Sequence, residues 1–215
     1  MTARRYVTRV NKEEKEIDKK ELILNAMQEL LKEGNAGTAS VSDIAKKAGI
    51  AKGGIYYYFR SKEEVIDELV DRQYSKIISD SRELVEKCND YAPTKLGLLL
   101  SSYRSSVVDK NLDVYLHSQE NAYIHQKSLA KILIELTPIV TSIIEQGNKE
   151  GDFKCKYPKE YAEIALSVFT FLLDPGIFEW SKEEIINKMK ALANVLEKGL
   201  GAKSGAFSFL VPGTV

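Results

Sequence analysis

The sequence predicts an all-α protein: an N-terminal three-helix domain built around a helix-turn-helix, then a larger C-terminal helical bundle, about nine helices in total. Three observations carry this. Apolar residues recur at helical spacing along most of the chain. Segments open on capping serines or close on glycines. No stretch of useful length alternates apolar and polar residues as a half-buried strand would.

The totals set bounds. The chain has 215 residues, 44% of them hydrophobic and 29% charged, enough for a sizeable core beneath a well-solvated surface. Lys plus Arg equals Asp plus Glu, 31 each, but the charge is unevenly spread. Residues 1–62 hold 13 Lys and Arg against 8 Asp and Glu, so the front end is basic and the remainder acidic. No apolar run approaches the roughly 20 residues of a membrane span, and no apolar core follows Arg4 and Arg5 as in a secretory signal. A cytoplasmic protein without a membrane partner is expected. Two cysteines, Cys88 and Cys155, without a CxxC or Cys/His cluster, read as free thiols and not as a disulfide framework or zinc site.

The elements follow in order. Residues 1–16 are polar, with Arg4, Arg5 and Arg9 forming a basic arm. From about Asp18 to Glu33, Leu22, Ile23, Ala26, Met27, Leu30 and Leu31 fall on one helical stripe, closed by Gly34. Ser40 with Asp43 three residues on has the form of an N-cap, and Gly49 breaks the short helix that follows. A second short helix spans Lys52 to Phe59. Ser61-Lys-Glu-Glu64 is a capping box that opens a long helix to about Lys87. Further helices are expected near 94–109, 112–124, 126–149, 158–173 and 182–198, with Pro138 inside the third, Pro158 in the first turn of the fourth and a turn at Asp174-Pro-Gly176. The tail, Gly201 to Val215, carries Phe207, Phe209, Leu210 and Val211 among Gly, Ser and Pro, and is expected to be flexible or laid across a neighbouring surface.

The chemistry concentrates between Val41 and Phe59. Two helices that meet in a tight corner need a small residue at the crossing, a residue tolerating positive φ in the turn, and apolar residues to close the angle. Ala45, Gly49 and the set Ile44, Ala48, Ile50 and Ile55 answer these needs. Lys52 stands at the start of the second helix, where a phosphate is favoured. Gly53 and Gly54 offer no side-chain obstruction to a duplex, at a cost of about 1 kcal/mol each in helix propensity. Consecutive Tyr56, Tyr57 and Tyr58 lie about 100° apart on a helix and cannot share one face, so at least one is exposed. Phe59 is assigned to the core.

From about Asp18 to Ile77 the chain resembles the DNA-binding region of TetR-type transcriptional regulators. The likeness rests on Ser40-Val-Ser-Asp-Ile-Ala, Ala48-Gly-Ile-Ala-Lys-Gly, Ile55-Tyr-Tyr-Tyr-Phe and Ser61-Lys-Glu-Glu. It implies a DNA-binding domain at 17–77, an effector-binding and dimerisation domain at 78–200, and a tail at 201–215. It further implies a sequence-specific regulator of transcription: a ligand-responsive repressor acting as a homodimer on a palindromic operator, with an unknown small-molecule effector and no cofactor. Ser40 and Ser42 would meet phosphate. Lys52, Gly53, Tyr56, Tyr57 and Tyr58 would line the recognition helix, and Lys62 would meet a backbone phosphate. Ala51 departs from the Ser or Thr common in such regulators, which leaves that helix without a side-chain cap. Gly54 departs from the larger residue common there.

The resemblance places dimer contacts in the last two helices. Phe169, Leu172, Ile185, Met189, Leu192 and Leu196 are the candidates, and the 158–173 segment is apolar nearly all round, as a helix buried on both sides would be. For the effector pocket in the middle helices the candidates are Tyr103, His117, Glu120, Asn121 and Tyr123. His117 and Glu120, at i and i+3, are two ligands where a metal needs three or more, so no metal site is expected. Two other readings compete. A helical interaction module without DNA binding is disfavoured by the intact Lys52-Gly53 and the tyrosine run. An enzyme is disfavoured by the lack of a phosphate loop, nucleophile elbow or acid pair, so no catalytic residue is expected.

Overall fold

The first helix, α1, over residues 19–32, packs through Ile23, Leu24, Met27 and Leu31, all buried. The computed structural model describes residues 19–35, 38–105 and 110–211, and these are helical, with no strand among them. The basic arm with Arg4, Arg5 and Arg9, and the end of the expected 94–109 helix, lie outside the described residues. The buried stripe of α1 is turned slightly from the expected one: Leu22 is exposed and Leu24 takes its place in the core. Gly34, at φ 74°, ends the helix.

Helix α2 (Val41–Ala48) is held at its start by a reciprocal cap: Ser40 Oγ accepts from the Asp43 amide, while the Asp43 carboxylate accepts from the Ser40 amide. Helix α3 (Lys52–Tyr58) follows after Gly49, and helix α4 (Lys62–Lys87) runs 26 residues. Ile44, Ala45, Ile55, Phe59, Val65, Ile66 and Leu69 join the α1 stripe in one core. Polar clamps tie α4 back to α1: the Arg72 guanidinium reaches Glu21 at 2.6 Å and also Asn25 and Gln28, and Lys20 meets Glu68 at 2.6 Å. Each pair is partly exposed, so each adds at most about 1 kcal/mol.

The described residues fall into two compact units. One takes in the described part of Met1–Gln73 with that of Asp109–Tyr115; the other takes in that of Tyr74–Val108 with that of Leu116–Val215. Helix α4 therefore contributes to both.

The second unit is built from the end of α4, α5 (Ala92–Ser105), α7 (Ala122–Glu150), α8 (Pro158–Ser167) and α9 (Lys182–Leu200); α6 (Lys110–Leu116) lies mostly in the first unit. The apolar spacing predicts one helix over 112–124, but α6 stops at Leu116 and a 3-10 turn, Gln119–Asn121, precedes α7. Ser118 and Asn121 bond to each other through their side chains at 2.8 Å, a local pairing that favours a turn over a continued helix. Helix α7 runs on through Pro138 and closes at Gly151, φ 87°. Gly147 is required in it, since a Cβ there would stand 2.3 Å from Phe153 Cδ2.

Helix α8 passes into a π-helical turn, Val168–Leu172, where the Leu173 amide reaches back to the Val168 carbonyl at 2.9 Å. Within the single chain one side of this segment is bare: Ile164 is 57% exposed and Leu172 36%. Helix α9 opens on a reciprocal Ser181–Glu184 cap and closes at Gly201, φ 64°. The tail then folds back: the Glu197 carboxylate accepts from the amides of Gly205 and Phe207 at 2.8 and 3.4 Å, and Phe207 is left 2% exposed.

Candidate functional site

The corner between α2 and α3 forms where the spacing demands it. Gly49 adopts φ 67°, ψ 28°, a left-handed conformation, and the amide of Ile50 bonds the Ala45 carbonyl at 3.0 Å. Ile44, Ala45 and Ile55 fill the angle, all buried. The cost of seating a side chain at Gly49 would come from the backbone alone, because nothing stands within 4 Å of the position its Cβ would take.

Helix α3 buries Ile55 and turns most of its other residues outward. Lys52 and Gly53 are exposed, Tyr56 is 52% exposed, and Tyr57 is 69% exposed. Tyr58 is half-buried and meets Tyr57 edge-on, ring centroids 4.8 Å apart. Ala51, at the N-cap, makes no side-chain cap, so its side chain does not compete with an incoming acceptor at the start of α3. No atom lies within 4 Å of where a Cβ on Gly53 would sit, so a flat polyanion can approach the backbone there. Ser40 and Ser42 are exposed at the start of α2 and Lys62 is half-buried at the start of α4.

Two carboxylates in this region are held charged. Hydrogen bonds from Ser40, by side chain first and backbone second, set the Asp43 carboxyl below the usual aspartate range. The Ser61 hydroxyl does the same for Glu63. Both sit in the first turns of their helices, where the dipole favours negative charge.

The second unit encloses an apolar cavity of about 90 Å³. Leu99 and Tyr103 of α5, Leu136 of α7, Phe169 of the π turn, Leu196 of α9 and Phe207 of the tail are among the residues lining it. Of the expected effector-pocket residues, Tyr103 lines this cavity and the others do not. Glu120 is exposed, Tyr123 is 78% exposed, and Asn121 is spent on the turn with Ser118. His117 lies instead against His125 and Asp174. The chain turns at 117–121 instead of continuing as helix, which sets Glu120 and Asn121 on the turn. Sequence reasoning misses the tail residues as cavity wall. A signal for them exists: Gly97, a glycine inside the apolar face of α5, where a Cβ would sit 3.4 Å from the Phe209 ring.

The expected dimer residues divide. Met189, Leu192 and Leu196 are buried within the protomer itself, so they face the core and are not available to a partner. Phe169 lines the cavity. Leu172 remains exposed and Ile185 half-buried. The heptad-like spacing of α9 marks which face is apolar, but not what that face packs against.

Known proteins share this architecture. The family model described as "Bacterial regulatory proteins, tetR family" matches residues 23–69, and one described as "Tetracyclin repressor-like, C-terminal domain" matches 104–195. The fatty acid metabolism regulator protein of Bacillus subtilis (strain 168) is 32% identical over 181 residues, 81% of this chain and 90% of that one. The HTH-type transcriptional repressor KstR2 of Rhodococcus jostii (strain RHA1) is 26% identical over 155 residues, 71% and 73% of the two chains. Among solved structures, the fatty acid degradation regulator FadR from Bacillus halodurans aligns with a TM-score of 0.57 at 21% identity, over 91% of this chain and 96% of that one. The transcriptional regulator FadR from Bacillus subtilis in complex with stearoyl-CoA aligns at 0.52 and 22%, over 90% and 98%. At such identities the structures speak for the fold alone. With both regions matched and a relative above 30% identity spanned almost end to end, the chain belongs to the TetR family of bacterial transcriptional regulators.

Proposed function

We propose that this regulator is a ligand-responsive repressor that binds a two-fold symmetric operator as a homodimer, and that its effector is a small molecule with a long apolar chain. The observation that carries the DNA-binding part is the outward face of α3. Lys52, Gly53, Tyr56 and Tyr57 are presented to solvent around a single buried anchor, Ile55. A helix this short, carrying two glycines and large exposed aromatic rings, is costly as structure alone and suits a major groove. Ser40, Ser42, Tyr58 and Lys62 then serve as positioning groups on sugar and phosphate. In this reading residues 17–77 bind DNA, 78–200 bind effector and partner, and 201–215 form the tail.

The effector reading is supported by the apolar lining of the second unit's cavity and by the relatives named for fatty acid regulation. Its volume, about 90 Å³, is well under the roughly 300–1,000 Å³ of small-molecule sites, so entry of an acyl chain must widen it. The wall most easily moved is the tail, since Phe207, Phe209 and Leu210 come from a 3-10 turn and its approach and not from a long helix. Ligand binding then favours a dimer whose recognition helices no longer match adjacent major grooves. Dimerisation draws on the apolar side chains left bare on α8, its π turn and α9, namely Ile164, Leu172 and Val195.

A mobility-shift assay at stated salt, using DNA from upstream of the protein's own gene, tests this. The wild type should shift the fragment in the presence of competitor DNA. Tyr57→Ala and Lys62→Ala should each weaken the shift with unchanged circular dichroism. Where a substitution removes a charged grip on one phosphate, the salt slope should fall by about 0.9. A long-chain acyl-CoA should release the DNA where the short-chain homologue does not. A helical interaction module without DNA binding would leave every such fragment unshifted.

A further inference from the structure

We propose that the second unit carries a site for a divalent transition-metal ion, formed by His117, His125 and Asp174. The chain has only two histidines, and the fold brings both against one aspartate. Nε2 of His125 stands 3.3 Å from Asp174 Oδ2, and Nε2 of His117 stands 3.9 Å from the same oxygen. The two imidazoles meet edge-on with centroids 4.8 Å apart, and one donor atom from each of the three residues lies within 4.8 Å of the others.

Those separations suit an ion. Two donors bonded to one metal at about 2.0–2.2 Å stand roughly 3–3.6 Å apart. The His125–Asp174 pair already has that spacing, and the three donors, all within 4.8 Å of one another, need a shift of about 1–2 Å to share one ion. Two imidazole nitrogens and one carboxylate oxygen favour zinc, iron, cobalt or nickel over magnesium or calcium, which take oxygen ligands.

The surroundings are built for the cluster. A Cβ on Gly176 would fall 2.4 Å from His117 Cδ2 and 2.8 Å from His125 Cε1, so only glycine lets both rings approach. The Gly176 amide donates to Asp174 Oδ1 at 2.8 Å, which fixes the carboxylate and leaves Oδ2 directed at the histidines. This is the outer-sphere support that orients metal ligands. His125 and Asp174 are buried, while the His117 side chain is 22% exposed and gives the ion a way in. Three protein ligands leave at least one position for water or an anionic ligand. Once bound, the ion ties the beginning of α7 to the turn that follows the π segment. From spacing alone His117 pairs with Glu120, which is exposed; the fold supplies His125 and Asp174 instead.

The test uses the full chain stripped with a chelator and titrated with Co²⁺, reading its visible absorption, and with Zn²⁺, reading thermal melting. One equivalent of Co²⁺ should give a saturable spectrum, and Zn²⁺ should raise the melting temperature. Asp174→Asn and His117→Gln preserve volume. Each should lower affinity by more than the roughly 10–100-fold typical of a missing outer-sphere partner, and should abolish the melting shift. Gly176→Ala should weaken binding by pushing the rings apart. If Asp174→Asn does not fold, His117→Gln, at the more open ligand, decides. Absence of saturable binding, or unchanged affinity in His117→Gln, overturns the assignment and leaves the cluster a histidine–aspartate hydrogen-bond network.

Discussion

Replacing Phe207 by alanine tests whether the tail is a true wall of the second unit. The ring is 2% exposed, stacks on Phe153 with centroids 6.0 Å apart, lies 5.8 Å from Phe209 and lines the apolar cavity. Burial of a phenylalanine is worth about 1.5–3 kcal/mol, and each aromatic pair adds about 0.5–1.5. Removal also enlarges a cavity that cannot collapse fully, since most of its other walls are long helices. Phe207→Ala should therefore destabilise the protein by about 3–5 kcal/mol, a large share of a typical 5–15. Equilibrium urea unfolding followed by far-ultraviolet circular dichroism measures it. In a chain of this size, the change should appear as a drop in melting temperature of about 6–20 °C. A loss below about 1 kcal/mol would mean that the ring is not seated, and the tail would then have no part in the cavity.

Other expectations follow from single features. Gly49→Ala forces a Cβ into the left-handed region at φ 67° and should cost about 1–2 kcal/mol of stability by urea unfolding, with operator affinity falling in parallel; an unchanged midpoint would mean the turn is not left-handed in solution. The capping carboxylates Asp43, Glu63 and Glu184 all have folded-state pKa values lowered by their serine partners, so their contribution is complete above the ordinary carboxylate range near pH 4 and is lost as pH falls through the lower, folded-state values. A melting-temperature profile should decline on that acid side, and Ser40→Ala with Ser181→Ala should flatten the decline. Burial pushes the Cys155 thiol up, whereas Cys88 is partly exposed. Iodoacetamide on the native protein should therefore label Cys88 first, and peptide mapping that finds Cys155 alkylated first would contradict the packing around Phe153 and α9.

Much of the DNA-facing corner is legible in the linear chain because each of its determinants acts over a few residues. Ser40 with Asp43 starts α2, Gly49 supplies the left-handed turn, and Ile44, Ala45 and Ile55 recur at the spacing that makes two helices cross. Caps, φ preferences and helical period are properties of neighbours along the backbone, so contiguous sequence dictates them. The second unit obeys a different logic. Its apolar stripes are visible, but a stripe does not name its partner. Met189, Leu192 and Leu196 turn inward while Ile164 and Val195 stay bare, and the tail rings reach the cavity beside Gly97. His125 and Asp174 lie far apart in sequence and meet only in the folded chain, beside a glycine at 176 that leaves room for the imidazole rings. The hydrophobic transfer free energy is nearly indifferent to which apolar surface covers which, so those choices are made by the three-dimensional fit and not by any local pattern.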